Sequence, residues 1–172
     1  MKIDFFADNP KHETIDDELF GIVDDESEPP QPVRIDRERS SSRTWNCTVA
    51  NPAEKTIDFY PVDHCLDLRR EDGSQEKCCD ALLAETGGGQ LFFLELKNRR
   101  KSADAVDDAI EQLANTIRIF QQNHNLPFWK KTVAYAANRK HPSFNFSRKD
   151  EMLKFRQEHH VRLVISARIE IF

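Results

Sequence analysis

The stretch Cys78-Cys-Asp-Ala-Leu-Leu-Ala-Glu-Thr-Gly-Gly-Gly-Gln-Leu-Phe-Phe-Leu-Glu-Leu-Lys97 decides the fold. Two apolar runs, Cys78–Ala84 and Leu91–Lys97, flank Thr86-Gly87-Gly88-Gly89 and read as a β-hairpin around a glycine turn. With Gly87 and Gly88 central, Glu85 faces Gln90, Leu82 faces Phe93 and Asp80 faces Glu95. Side chains alternate along a strand, so Lys97 projects on the face of Glu95, while Phe92, Leu94 and Leu96 join Ala81 and Leu83 in an apolar underside. One face is expected to be core and the other charged. Opposed residues have Cβ atoms ~4.5–5.5 Å apart, and like charges at that distance are destabilising unless neutralised. A divalent cation would neutralise them. Two carboxylates with waters completing the shell suit Mg²⁺ or Mn²⁺, since Mg²⁺ dehydrates reluctantly. The alternative is a solvated hairpin face, which fits poorly with carboxylates set inside runs of Leu, Phe and Ala.

Downstream, Val106, Ile110, Leu113, Ile117 and Phe120 repeat at spacings of four and three, with Ser102 as N-cap and Asp104, Asp107 and Asp108 in the first turns. This is the clearest helix, ending near Asn123–Pro127. Gln112 lies off the apolar stripe, on the flank of Ala105, Ala109 and Thr116, and reads equally as an ordinary boundary residue. Thr132–Ala137 reads as a buried strand, and Ser147–Asp150 as a capping box opening a short helix to about Glu158. Val161, Leu163, Ile165, Ala167, Ile169 and Ile171 alternate with polar residues as one closing strand. Upstream, Trp45–Val49 and Thr56–Tyr60 are β-rich. From residue 56 the order is strand, strand, strand, helix, strand, helix, strand, which predicts an α/β domain with a mixed sheet and packed helices.

The length of 172 residues suits one domain, taken as residues 45–172. Residues 1–44 carry acids, Pro29-Pro30-Gln31-Pro32 and Ser40-Ser41-Ser42, the composition of a linker or partly disordered arm. Residues 1–36 hold 11 Asp/Glu against 3 Lys/Arg, a net of −8, which leaves +3 elsewhere in a chain of net −5. The acidic character belongs to the arm, so the whole-chain charge does not exclude a nucleic-acid partner. Leu19, Phe20, Ile22 and Val23 supply an apolar anchor by which the arm would dock on a partner protein. Losing residues 1–36 is expected to leave thermal stability nearly unchanged. No apolar run nears the ~20 residues of a membrane span, and the acids near Met1 do not suit a signal peptide. A soluble, cytoplasmic protein without a membrane partner is therefore expected. Cys47, Cys65, Cys78 and Cys79 show no zinc-type spacing and read as reduced thiols.

The Asp on one strand, Asp80, and the Glu-x-Lys on the next, Glu95 and Lys97, resemble the signature of the PD-(D/E)XK nuclease superfamily. The fourteen intervening residues, the glycine turn and the following helix suit that resemblance, which covers about residues 56–137. Cys79 stands where the family has Pro. The family's first helix and its acid have no evident counterpart, with Glu54, Asp58 and Asp63 as candidates. The resemblance implies a restriction-endonuclease-like mixed central sheet flanked by helices, with the acidic arm preceding it. It also implies metal-dependent phosphodiester hydrolysis. Asp80, Glu95 and the backbone carbonyl of Leu96 would hold Mg²⁺ or Mn²⁺, and Lys97 would position the attacking water and stabilise charge at the phosphate. Some members of the family carry a Gln near the site on this helix, the place of Gln112.

Arg99, Arg100 and Lys101 follow Lys97 directly and suit contacts to a phosphate backbone. Arg139, Lys140, His141, Arg148, Lys149 and Lys154 extend that basic character, and Phe128-Trp129-Lys130-Lys131 adds aromatics. The expected function is a metal-dependent nuclease, on DNA in preference to RNA, acting as a subunit of a defence or restriction system with target choice supplied by a partner. An RNase on the same scaffold, or a non-enzymatic adaptor or immunity-type binding protein, are the competing readings.

Overall fold

Ala81–Ala84 and Leu91–Leu94 leave the central hairpin no polar face along most of its length, and all eight residues are buried. Other strands flank it in the same sheet, and the helices and a second sheet cover its two sides. A computed structural model of the chain describes residues 2–98, 103–139 and 148–172. Three strands come first, β1 (Glu13–Ile15), β2 (Leu19–Val23) and β3 (Arg34–Asp36). A 3-10 turn (Arg39–Thr44), β4 (Cys47–Ala50) and β5 (Ile57–Pro61) follow. The hairpin is β6 (Ala81–Glu85) and β7 (Gln90–Lys97), after which come α1 (Ala103–Asn123), β8 (Lys131–Asn138), α2 (Lys149–His159), β9 (Arg162–Ile165) and β10 (Arg168–Glu170). The chain is thus a mixed α/β protein.

The hairpin has the expected register, Leu82 opposite Phe93 and Ala81 opposite Leu94. Gly87 and Gly88 take φ of +88° and +81°, a backbone region that side-chain-bearing residues rarely enter. A six-stranded sheet ordered β1-β5-β6-β7-β8-β9 places the hairpin at its centre. Pairing is antiparallel from β1 to β7 and parallel through β7, β8 and β9. The two parallel connections run through the segments that contain α1 and α2, as parallel strands require a long crossover.

Both helices lie on the same face. Leu82, Ala84, Leu91 and Phe93 pack there with Val106, Leu113, Ile117, Phe120 and Phe155. The face expected to be charged is therefore core for most of its length, and charge is confined to the end bearing Asp80, Glu95 and Lys97. The underside of Ala81, Leu83, Phe92, Leu94 and Leu96 meets a second sheet rather than helices. That sheet has four strands ordered β10-β4-β2-β3. Its contribution to this second core includes Phe20, Ile22, Ile35, Val49 and Ile169.

Residues 1–44 are accordingly not a linker-like arm. Phe5, Ile15, Phe20 and Ile22 are buried, β1 extends the large sheet and β2 is an inner strand of the small one. The anchor expected to seize a partner is used inside the chain's own core. Acidic composition concealed this because the acids lie at the surface, where Arg34 pairs with Asp25, Arg37 with Asp17 and Glu13, and Arg39 with Glu18. Such exposed pairs contribute little to stability; the buried alternate residues hold the segment. Gly21 is required by close approach, since a Cβ there would come within 2.1 Å of the Trp45 ring.

The closing segment, expected as one strand, is two. Its buried residues keep their alternation, but Leu163 and Ile165 face the helix-side core whereas Ile169 and Ile171 face the inter-sheet core. The Ser166 hydroxyl caps the break by accepting the Arg168 N–H at 3.1 Å. The caps expected at Ser102 and Ser147 lie outside the described residues. Among the described residues, no helix is long and apolar enough to cross a membrane.

Deleting residues 1–36 removes β1, β2 and β3 and uncovers the hairpin's underside. The truncated chain should lose cooperative thermal unfolding, read by near-ultraviolet circular dichroism. Phe20→Ala, a milder cut into the same core, should cost about 3–5 kcal/mol in denaturant titrations. A truncated chain that melts like the full one would refute this architecture.

Candidate active site

Asp80 stands at a bend leading into β6, one residue before the paired stretch, which sets it against Glu95 on continuing the register. Its carbonyl accepts the Val62 N–H at 2.8 Å. A polar ridge of α1 holds the segment that delivers it. Gln112 Nε2 donates to the Cys78 carbonyl at 3.0 Å, Asn115 Nδ2 donates to the Lys77 carbonyl at 2.6 Å, and Thr116 Oγ1 accepts the Cys79 N–H at 2.7 Å. Residues three and four apart share one helix face, so these three contacts come from a single line of α1.

The structure brings Asp80, Glu95, Lys97 and Gln112 together. Asp80 Oδ2 accepts the Leu96 N–H at 2.6 Å. Lys97 Nζ lies 2.7 Å from Glu95 Oε1 and donates to Gln112 Oε1 at 2.7 Å. Glu95 is 2% exposed, and its second oxygen, Oε2, is buried with no hydrogen-bond partner among the described residues. Leu96 thus joins the site through its backbone N–H, which holds the Asp80 carboxylate in place.

Burial raises both acids. Asp80 is only partly exposed, and loss of hydration pushes its carboxyl up to about 7, opposed by the Leu96 N–H and the Lys97 charge and reinforced by the charges of Asp63 and Asp24. Glu95 is raised well above the ordinary carboxylate range, first by burial and then by the Asp80 charge, with Lys97 acting the other way. Two acids that resist ionising, beside a lysine, form the kind of perturbed group typical of functional sites.

Of the upstream acids Glu54, Asp58 and Asp63, Asp63 is the one whose charge bears on Asp80 and Glu95. It follows β5 in a loop; among the described residues no α-helix precedes the hairpin. Asp58 lies towards the glycine turn, its carboxylate accepting the Thr14 and Thr86 hydroxyls. The sequence reading missed the contribution of the β2–β3 connection. Asp24, Glu26 and Glu28 line a cavity of about 250 Å³ with Asp63, His64 and Asp80. Glu26 also accepts from Asn98 Nδ2 at 2.8 Å, which ties the connection to the end of β7. The signal available was Asp24-Asp-Glu26 directly after the apolar run of β2, but no local pattern says what it faces.

Of the basic residues expected at the site, only some are among the described residues. Arg99, Arg100, Lys101, Lys140 and His141 lie outside the described residues. Arg148 is 9% exposed and bonds Asp107 at 2.6 Å and Glu151 at 2.8 Å, so its charge is spent within the fold. Lys131 sits over the Phe172 ring. Cys47, Cys65, Cys78 and Cys79 are free thiols, with burial raising Cys78 and Cys79 beside the site.

The donor chemistry suits a hard divalent cation: Asp80 and the unpartnered Glu95 Oε2 are oxygens that gain from one, and Mg²⁺ commonly takes one or two carboxylates plus waters. Among the described residues, no group of three or more His, Cys, Asp or Glu side chains is gathered as a ready ligand set.

An acid whose folded pKa lies above its unfolded value keeps a proton that the unfolded chain gives up, so folding weakens as pH rises between the two values. For Asp80 that window runs from about 4, its unfolded value, to about 7. Asp80→Asn keeps an acceptor for the Leu96 N–H and removes the charge. In EDTA at pH 8 it should melt above wild type by roughly 3–6 °C, the shift made by about 1–2 kcal/mol in a domain of this size, with the gap closing towards pH 4. A variant that melts below wild type at pH 8 would contradict the buried-charge account. No family model, curated protein or solved structure matches this chain.

Proposed function

We propose that the chain is a metal-dependent nuclease that hydrolyses phosphodiester bonds, in DNA rather than RNA, on a restriction-endonuclease-like scaffold. The observation that supports this reading most is the meeting of Asp80, Glu95, Lys97 and Gln112 at one end of the hairpin, with Glu95 Oε2 buried and unpartnered. A role in a defence or restriction system belongs to the same proposal, as does target choice supplied by a partner.

Asp80, Glu95 and the Leu96 carbonyl would hold Mg²⁺ or Mn²⁺, which supplies Lewis acidity and charge neutralisation at the phosphate. The chain's own groups do the rest. Gln112 is a positioning residue: its amide N–H is committed to the Cys78 carbonyl, so its oxygen is turned to Lys97. The Lys97 ammonium, largely shielded from water, is thereby fixed before substrate arrives and stands ready to stabilise negative charge developing on the phosphate. A donor already in place needs no reorganisation when the charge appears.

One observation favours a non-enzymatic binding protein instead. Asp24, Glu26, Glu28 and Asp63 give the cavity beside Asp80 an acidic lining, which opposes entry of a polyanion.

Cleavage of plasmid, single-stranded DNA and RNA with Mg²⁺ or Mn²⁺ separates the readings. Wild type should cut DNA, Lys97→Ala should fold and bind metal yet lose about 10²–10³ in rate, and Gln112→Ala should lose less. Wild-type rates in Lys97→Ala would reject this mechanism. No cleavage under any condition would favour the binding protein.

A further inference from the structure

The opposite end of the hairpin carries a site of different chemistry. We propose that the cavity there, walled by Phe6, Tyr60, His124, Phe128 and Trp129 and edged by the Asp58 and Glu85 carboxylates, binds an organic cation, a quaternary ammonium or guanidinium group.

The walls are rings set at steep angles to one another. Phe6 lies 4.9 Å from Tyr60 at 66° and 5.0 Å from His124 at 62°, and Phe128 lies 5.3 Å from Trp129 at 89°. Tyr60 also stacks on His12 at 5.8 Å and 20°, and His124 on Phe120 at 4.6 Å and 30°, so each of these two walls has one face backed by a neighbouring ring. The pocket, open to solvent, has a volume of about 400 Å³, within the range of ~300–1,000 Å³ usual for small-molecule sites. Phe128 is 60% exposed, an unusual position for a large apolar side chain, yet it is held in place. A Cβ at Gly88 would come within 2.7 Å of its ring, and the Gly88 carbonyl accepts the Lys130 N–H at 3.1 Å. The turn glycine therefore serves as the seat of this wall.

Charge decides the ligand class. None of the described lining residues is Lys or Arg. His124 accepts the Phe5 N–H through Nε2 at 3.1 Å, which only the neutral imidazole can do, and burial lowers its pKa against the opposing charge of Asp4. Glu85 is paired with Lys55 at 3.0 Å. Asp58 has the hydroxyls of Thr14 and Thr86 as partners, both neutral donors, and no Lys or Arg pairs with it among the described residues. A neutral apolar guest would strip water from this carboxylate with nothing in return. A cation meets both needs, the carboxylate at the rim and the ring faces, whose quadrupole attracts positive charge.

The test titrates the full chain by calorimetry or NMR with choline, methylguanidinium and the neutral choline isostere 3,3-dimethylbutanol, and with a short peptide bearing trimethyllysine. At least one cation should bind clearly tighter than the isostere. Phe128→Ala, at an exposed position whose folding is checked by its melting curve, should weaken that cation by about 3–30-fold. Asp58→Asn should weaken it too and leave the isostere bound as well as before or better, since a neutral amide costs less to strip of water than a carboxylate, a second readout independent of Phe128. A peptide that binds tighter than the free cations identifies a partner's side chain as the source; the reverse identifies a free metabolite-sized cation. Equal binding of cation and isostere, undiminished binding in both variants, or no binding of any cation would overturn the proposal.

Discussion

The β6–β7 hairpin has to be buried on both sides, and the rest of the molecule follows from that constraint. Eight consecutive-register residues from Ala81–Ala84 and Leu91–Leu94 offer water nothing on either face. Two helices cover one side and a second sheet the other, so apolar layers stack in the order helix, sheet, sheet. Burying a large apolar side chain contributes roughly 1.5–3 kcal/mol, and no arrangement with one bare face would recover that for both rows. The covering sheet is assembled from the two ends of the chain, β2, β3 and β4 from the first fifty residues and β10 from the last five. Both of these segments are thus structural elements, not appendages.

The same constraint gives the candidate active site its electrostatic character. The hairpin carries Asp80 and Glu95 inward at the point where its apolar run stops, so the carboxylates are desolvated by a core built for leucine and phenylalanine. Like charges placed together in such surroundings cost stability, and Lys97 relieves one of them in part. Function commonly resides where a fold tolerates such a cost. The α1 ridge of Gln112, Asn115 and Thr116 matters for the same reason. It fixes the backbone of residues 77–79 and so leaves Asp80 little freedom to turn away from Glu95.

The two ends of one hairpin are chemically unlike. Carboxylates and a lysine occupy the open end, while the glycine turn supports an aromatic pocket edged by acids. One hairpin thereby holds the candidate active site and the proposed cation site apart, and β7 with its parallel neighbour β8 runs between them.

Read alone, the sequence determined the elements whose signals are local. The glycines at 87 and 88 set the turn, the turn set the register, and period-two alternation then put Glu95 and Lys97 on one face with Leu82 and Phe93. The spacing of Val106 to Phe120 determined α1, and with it the flank that carries Gln112. What only the tertiary structure decided is whatever depends on the choice of partner. The run Leu19–Val23 is apolar enough for a strand, yet acids around it resemble a disordered segment, and only the bare underside of the hairpin explains why it folds. The alternation from Val161 to Ile171 is continuous, but its two halves enter different cores, since side-chain period records that a residue is buried and not against what. Asp24, Glu26 and Asp63 reach the site from loops, where no periodicity applies. Local geometry is written in neighbouring residues; the pairing of distant surfaces is settled only when every apolar face has to be covered at once.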